Sequence, residues 1–242
     1  MKAQTRRDLT VVPVTEQDCL VIACDSCGGI GLKNADIFKM IPRYVAKFTA
    51  RVALTEVMCS GAWPVTISNG VACEMKPTGE EMILGIQDEL KNAGITDIVL
   101  TGSTEETFST NMTALAITVI GTAKKSELKF RQATKGDRLI LFGSPRVGAE
   151  VDLESTGFYA EIRRLLPMPE VKEMVPVGSK GVAYEAEMIA ALNSAVFKPY
   201  KTKIDCVKPA GPATCMLVLC AESAIHRVSE LCPATTLIGE IQ

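Results

Sequence analysis

Cys19 to Lys33 reads CLVIACDSCGGIGLK. Its first six residues, Cys19 to Cys24, are apolar and partly β-branched, which predicts a short strand. Gly28-Gly29-Ile30-Gly31 then predicts a glycine-rich turn. Asp25 stands at the strand end and Lys33 just beyond the glycines. Glycines let backbone N–H groups approach an anion, a carboxylate can hold a hard cation, and a lysine adds positive charge. Gly28, Gly29, Gly31 and Lys33 are therefore candidate phosphate-binding residues, and Asp25 a candidate ligand for a divalent ion. A tight turn needing positive φ reads the same run equally well. The spacing is neither GxxxxGK[ST] nor GxGxxG.

Working outward, Leu9 to Val14 predicts a strand, and Pro42 opens a helix. Along that helix Val45, Phe48, Val52, Leu54, Val57 and Met58 recur at helical spacing, with a stop near Gly61. Pro64 to Cys73 reads as a strand. Thr78, with Glu81 three residues on, has the form of a capping box for a helix ending at Gly94. Asp97 to Thr101 and Thr113 to Thr122 are strands, the second apolar at nearly every position, as a strand covered on both faces should be. A charged stretch (Lys124, Lys125, Glu127, Lys129, Arg131) marks a boundary within 124–137, giving domains 1–124 and 125–242. Beyond it, Arg138 to Phe142, Tyr200 to Val207, Met216 to Cys220 and Thr235 to Ile241 read as strands. Phe158 to Leu166, Lys180 to Ala195 and Glu222 to Leu231 read as helices. Pro167 to Pro176, with three prolines, reads as an exposed connector. The alternation places the chain in the α+β class, or α/β with mixed sheets.

Composition narrows the function. The 242 residues are 47% hydrophobic and 22% charged, and 26 basic against 28 acidic side chains leave a net charge of −2. That balance gives no basic stripe for nucleic acid. No run of about 20 apolar residues predicts a membrane span. The polar start, Met1 to Thr10, predicts no secretory signal, so a cytoplasmic location is the default expectation. Cys24-Asp25-Ser26-Cys27 has the spacing of a redox pair or half a zinc site, or is simply a loop of small residues. A second CxxC is missing, and His226 is the one histidine. His226 itself reads as a surface or core residue rather than a base. Glu56 is an acid on an apolar helix face, where carboxylates are rare unless paired or metal-bound; exposure to solvent is the competing reading. Thr101-Gly102-Ser103-Thr104-Glu105-Glu106 closes a strand with hydroxyls and two acids, which fits a ligand-facing loop or a capped turn.

Taken in order, these segments resemble the superfamily of aminoimidazole ribonucleotide synthetase, thiamine-monophosphate kinase, selenophosphate synthase and a hydrogenase-maturation protein. Cys24-Asp25 falls where the family has an early metal- and nucleotide-binding aspartate. Leu54 to Pro64 resembles the pattern SDxxAMGAxP, with Glu56 for the aspartate and Gly61, Ala62 and Pro64 kept. Thr101 to Thr104 resembles the GGDT loop, with Ser103 for an aspartate. Ala133 to Gly143 resembles AKPGDxIxxTG, and Pro233 to Ile241, with Ile238-Gly239-Glu240, the closing IGxV strand. The pattern is also similar to a short α-ribazole kinase branch.

The resemblance implies a two-domain synthetase-like fold and a homodimer whose N-terminal strands close a β-barrel. It implies an ATP and Mg²⁺ site, with Asp25 and Glu56 as metal ligands. Gly28, Gly29, Gly31, Lys33 and Thr104 would contact the nucleotide, and Asp18 or Glu105 would be the acceptor base. The implied activity is phosphoryl transfer to a small-molecule hydroxyl. An ATP-dependent synthetase and a non-catalytic nucleotide binder stand as alternatives.

Overall fold

The computed structural model describes residues 2–130, 132–232 and 234–242. Arg131 of the charged stretch and Pro233 of the closing segment lie outside them, as does Met1. The chain forms two compact units: residues 1–58 with 62–125, and residues 59–61 with 126–242.

The first unit is a six-stranded sheet in the order β1-β2-β3-β8-β6-β7. Its strands are β1 (Gln4–Arg6), β2 (Leu9–Pro13), β3 (Asp18–Gly28), β6 (Trp63–Val71), β7 (Val99–Thr104) and β8 (Ala114–Lys124). Two short strands, β4 (Ile30–Gly31) and β5 (Phe38–Lys39), pair in parallel beside it. β3 is longer than its apolar core predicts. It continues through Cys24 to Gly28 because β8 supplies a partner at every position, from Asp18↔Lys124 to Gly28↔Ala114. Cys24 and Cys27 lie on a strand, not in a loop. Side chains alternate along a strand, so these two point to opposite faces and cannot form a redox pair or a shared zinc site.

One face of this sheet is buried: Val21, Ala23, Ile67, Ile117 and Val119 are each at most 2% exposed. Helix α1 (Pro42–Cys59) covers it, with Val57 lying against Gly121 of β8. Within the single chain the other face is only partly covered, so β8 is buried on one face where its apolar sequence predicts two. α1 is buried from Val45 to Cys59 except for Val52, because α2 (Glu80–Asn92) packs along it. Gly85 of α2 meets the backbone of Arg43, and Arg51 Nε donates to Glu89 at 2.7 Å in a fully buried ion pair. Thr78 does not cap α2. Its hydroxyl donates to Glu74, and the helix begins after Gly79.

The second unit is an antiparallel sheet in the order β10-β12-β9-β13-β11. It comprises β9 (Arg138–Gly143), β10 (Val171–Pro176), β11 (Phe197–Pro199), β12 (Cys215–Cys220) and β13 (Thr235–Ile241). Helices α3 (Tyr159–Leu165), α4 (Gly181–Leu192) and α5 (Ile225–Leu231) accompany it. Here β12 is the strand buried on both faces. Two expectations are corrected. The proline-rich connector contains β10, a buried edge strand, and edges tolerate proline because they pair on one side only. Tyr200 to Val207 is irregular. The pairing strand is Phe197–Pro199, and Phe197 packs where a side chain on Gly239 would clash.

Gly85→Ala should cost about 1–3 kcal/mol in urea unfolding, because a methyl group drives into the α1 backbone. Gly28→Ala, whose added methyl meets nothing within 4 Å, should leave stability near wild type.

Candidate functional site

β8 runs antiparallel to both β3 and β6, and β7 runs parallel to β6. The carboxyl ends of β3, β6 and β7 therefore open at one edge of the sheet. Three loops leave from that edge, residues 29–41, 72–79 and 105–113. Ligands commonly bind where strand ends and loops gather like this.

The loops are tied to each other by a buried acid that the sequence reading did not single out. Asp36, 5% exposed, accepts from Thr113 N (2.7 Å), Thr113 Oγ1 (2.7 Å) and Lys33 N (2.8 Å). Burial opposes its charge, but these bonds prevail and hold its pKa below the ordinary value. Thr113 and Asp36 fill the space where a side chain on Gly31 would go. Gly29 takes φ +73° and donates its N–H to Thr113 O at 2.8 Å. Lys33 Nζ bonds Glu74 Oε2 at 2.5 Å and Thr110 O at 3.1 Å. The glycine-rich run is thus a lock between loops. The N–H groups of Gly29 and Lys33, and the Lys33 ammonium, already have partners, so the open phosphate nest expected there is not formed. Gly28 alone borders open space.

The other expected site residues separate. Thr104 Oγ1 donates to Glu106 Oε1 at 2.9 Å, and the same oxygen accepts from Met75 N at 2.7 Å. Glu105 accepts from the N–H groups of Phe108 (3.0 Å) and Thr107 (2.7 Å), which hold its pKa down. It caps a turn and is a weak base at neutral pH. Asp18 lies at the opposite end of β3, roughly 23 Å from Asp25 at 3.3 Å per residue. There it accepts from Thr15 Oγ1 at 2.9 Å. One strand cannot bring both ends to one reaction centre, so Asp18 does not join this edge. His226 is exposed, 3.5 Å from Glu230.

Asp25 and Glu56 do share a side of the sheet. Asp25 pairs with Ile117, whose side chain is buried on the α1-facing side. Asp25 is half-buried and, among the described residues, forms no ion pair. Burial first, and the nearby Asp8 carboxylate second, push its pKa up to about 6 against one bond from Ser26. Glu56, 7% exposed, is met by Arg7 from the β1–β2 turn, Nη1 to Oε2 and Nη2 to Oε1, both at 3.3 Å. Neither Arg7 nor Asp8 is singled out by the sequence. The pairing Leu9↔Ala23 is what places their turn beside Asp25.

Residues 6–123 match the AIR synthase related protein N-terminal domain. Those residues, all but 59–61 of which lie in the first of the two units, are an AIR synthase related N-terminal domain. No curated protein sequence matches it significantly. Among solved structures, Thermotoga maritima PurL complexed with ADP is similar at TM-score 0.76 and 14% identity, over 99% of this chain and 42% of that one. Thiamine-monophosphate kinase from Stenotrophomonas maltophilia K279a is similar at TM-score 0.69 and 16% identity, over 99% of this chain and 88% of that one. The HypE–HypF complex gives 0.70 and 13%, over 96% and 86%. At these identities the structural likeness shows a shared fold. The chain spans about two-fifths of the length of the PurL chains.

A folded pKa near 6 against 3.8 means that the unfolded state ionises Asp25 first. Asp25 therefore costs stability progressively as pH rises through that window. Asp25→Asn should raise Tm at pH 7 and flatten the change in Tm between pH 4 and 6, as read by thermal denaturation across pH.

Proposed function

We propose that the chain catalyses ATP-dependent phosphoryl transfer to the hydroxyl of a small uncharged acceptor, and that α-ribazole is the acceptor to test first. The observation that carries this reading is Asp25, a desolvated carboxylate at the strand-end edge with no ion-pair partner of its own. A half-buried acid with no ion pair among the described residues costs folding energy, and groups so perturbed cluster at functional sites. The AIR synthase related N-terminal domain and the shared fold add support, since T. maritima PurL is known in complex with ATP and with ADP.

The donors at Asp25 are its own carboxylate and that of Asp8 close by, with the Cys27 thiol on the same face of β3, and the two carboxylates fit a hard cation. Among the described residues no three His, Cys, Asp or Glu side chains form a metal site. Mg²⁺ is commonly held by one or two carboxylates plus substrate phosphates. Bound Mg·ATP would supply charge neutralisation on the transferring phosphoryl group. Asp25 would anchor its cation. The Asp36 lock would keep loops 29–41 and 105–113 in register around the acceptor.

Those loops favour an apolar acceptor. Ile37 is 90% exposed, Phe108 75% and Leu32 62%. Their lysines are engaged, Lys33 with Glu74 and Lys39 with the Lys33 carbonyl. A phosphorylated acceptor wants free cations; an aromatic nucleoside wants this rim.

We extend the proposal to a homodimer formed through the open sheet face. There the register aligns Val12, Leu20, Thr122 and Trp63, and beside them Ile22 and Ile120. Trp63 is 47% exposed. Ile120→Lys should convert a dimer to a monomer in light scattering; an unchanged mass removes this face as the contact.

The test of the activity is incubation with Mg·ATP and a panel of nucleosides that includes α-ribazole, followed by mass spectrometry. The expected product is heavier by one phosphoryl group, and Asp25→Asn should abolish it without loss of fold. Phosphate release without a phosphorylated product would favour the synthetase alternative. Nucleotide binding without turnover would identify a binding protein.

A further inference from the structure

Glu56 is the second acid that the sequence pattern assigns to a metal, and the structure gives it a different counter-charge. Its carboxylate is buried on α1, and both of its oxygens face the two terminal nitrogens of Arg7. The two side chains are 5% and 9% exposed. Arg7 reaches Glu56 because it occupies a two-residue turn, Arg7-Asp8, between Arg6 and Leu9, in the left-handed region at φ +51°. Non-glycine residues adopt that conformation at a cost, so the turn is held by what its side chains reach. A planar guanidinium matches both carboxylate oxygens at once, which an ammonium cannot do.

We infer that Arg7 replaces a divalent ion at Glu56: this chain neutralises the buried α1 carboxylate with its own guanidinium, and Glu56 is not a metal ligand. Two physical points lead there. A buried carboxylate requires a counter-charge, and Arg7 supplies one in full. With both oxygens facing one cation, a second cation on the same carboxylate would be repelled at close range. Glu56 then has a structural task, pinning the β1–β2 turn and with it Asp8 beside Asp25. This inference deepens the reading of the ATP site and rests on it only for where the metal goes, namely to Asp25 and the nucleotide.

The experiment combines a thermal cycle with a metal titration on the full chain. Arg7→Met removes the guanidinium that faces both oxygens of a buried carboxylate and should lower Tm by roughly 5–10 °C. Arg7→Met combined with Glu56→Leu removes both charges and should recover more than half of that loss. Failure of the double variant to recover overturns the pairing. Mn²⁺ binding in the presence of a non-hydrolysable ATP analogue, followed by the free Mn²⁺ resonance signal, supplies the second readout. Glu56→Gln should keep the affinity within twofold of wild type. A tenfold loss would show that Glu56 is a ligand after all and would overturn the inference. If wild-type protein binds no Mn²⁺-nucleotide, the ATP reading fails, and the thermal cycle still decides between Arg7 and a metal as the partner of Glu56.

Discussion

The unbroken pairing of β3 with β8 is the constraint on which the N-terminal unit depends. From Asp18↔Lys124 to Gly28↔Ala114 the register never slips. In a strand, a slip of one residue would turn every side chain to the other face. The register therefore decides that Val21 and Ala23 face α1, that Asp25 follows them onto the same side, and that Cys24 and Ser26 face away. It also carries β3 far enough for its end to open beside those of β6 and β7. Without that length there would be no shared edge for the three loops.

Two acids, Asp36 buried and Asp25 half-buried, then divide the labour on that framework. Asp36 is fully provided for, with three donors within 2.8 Å, and it fastens the loops. Asp25 is provided with little, and its proton affinity rises accordingly. Satisfied polar groups stabilise, and unsatisfied ones are kept where binding or chemistry needs them. The contrast explains why a glycine-rich run that looks like an anion nest acts as a fastening, while the acid proposed to anchor the cation stands just before it. Arg7 and Glu56 form a third arrangement, a charge pair that ties the first turn of the chain to α1. Its net contribution to stability is small beside the cost of breaking it, because desolvation offsets much of the attraction.

Much of this fold is written in periodicity. α1, β8, α4 and β12 are apolar with the repeats of their elements, and the structure places them close to where those repeats predict. The readings that failed did so for identifiable reasons. β10 was hidden by prolines that only an edge position tolerates. β11 is three residues long, too short for a pattern to emerge. Thr78 had the sequence of a cap, but Glu74 took its hydroxyl. Within the single chain the full coverage predicted for β8 is found at β12, because the hydropathy of a strand does not say how many layers of its own chain will pack on it.

The sequence by itself determined the class, the order of the elements, the superfamily resemblance and the two acids, Asp25 and Glu56, worth following. It did so because burial periodicity and glycine placement are local properties. Only the tertiary structure decided that Asp18 lies at the wrong end of its strand, that Glu105 caps a turn and that Arg7 faces Glu56. Those outcomes depend on strand register and on contacts across as many as 49 positions of chain. Charge partners are chosen by proximity in space, and nothing in a local motif records which distant side chain will arrive.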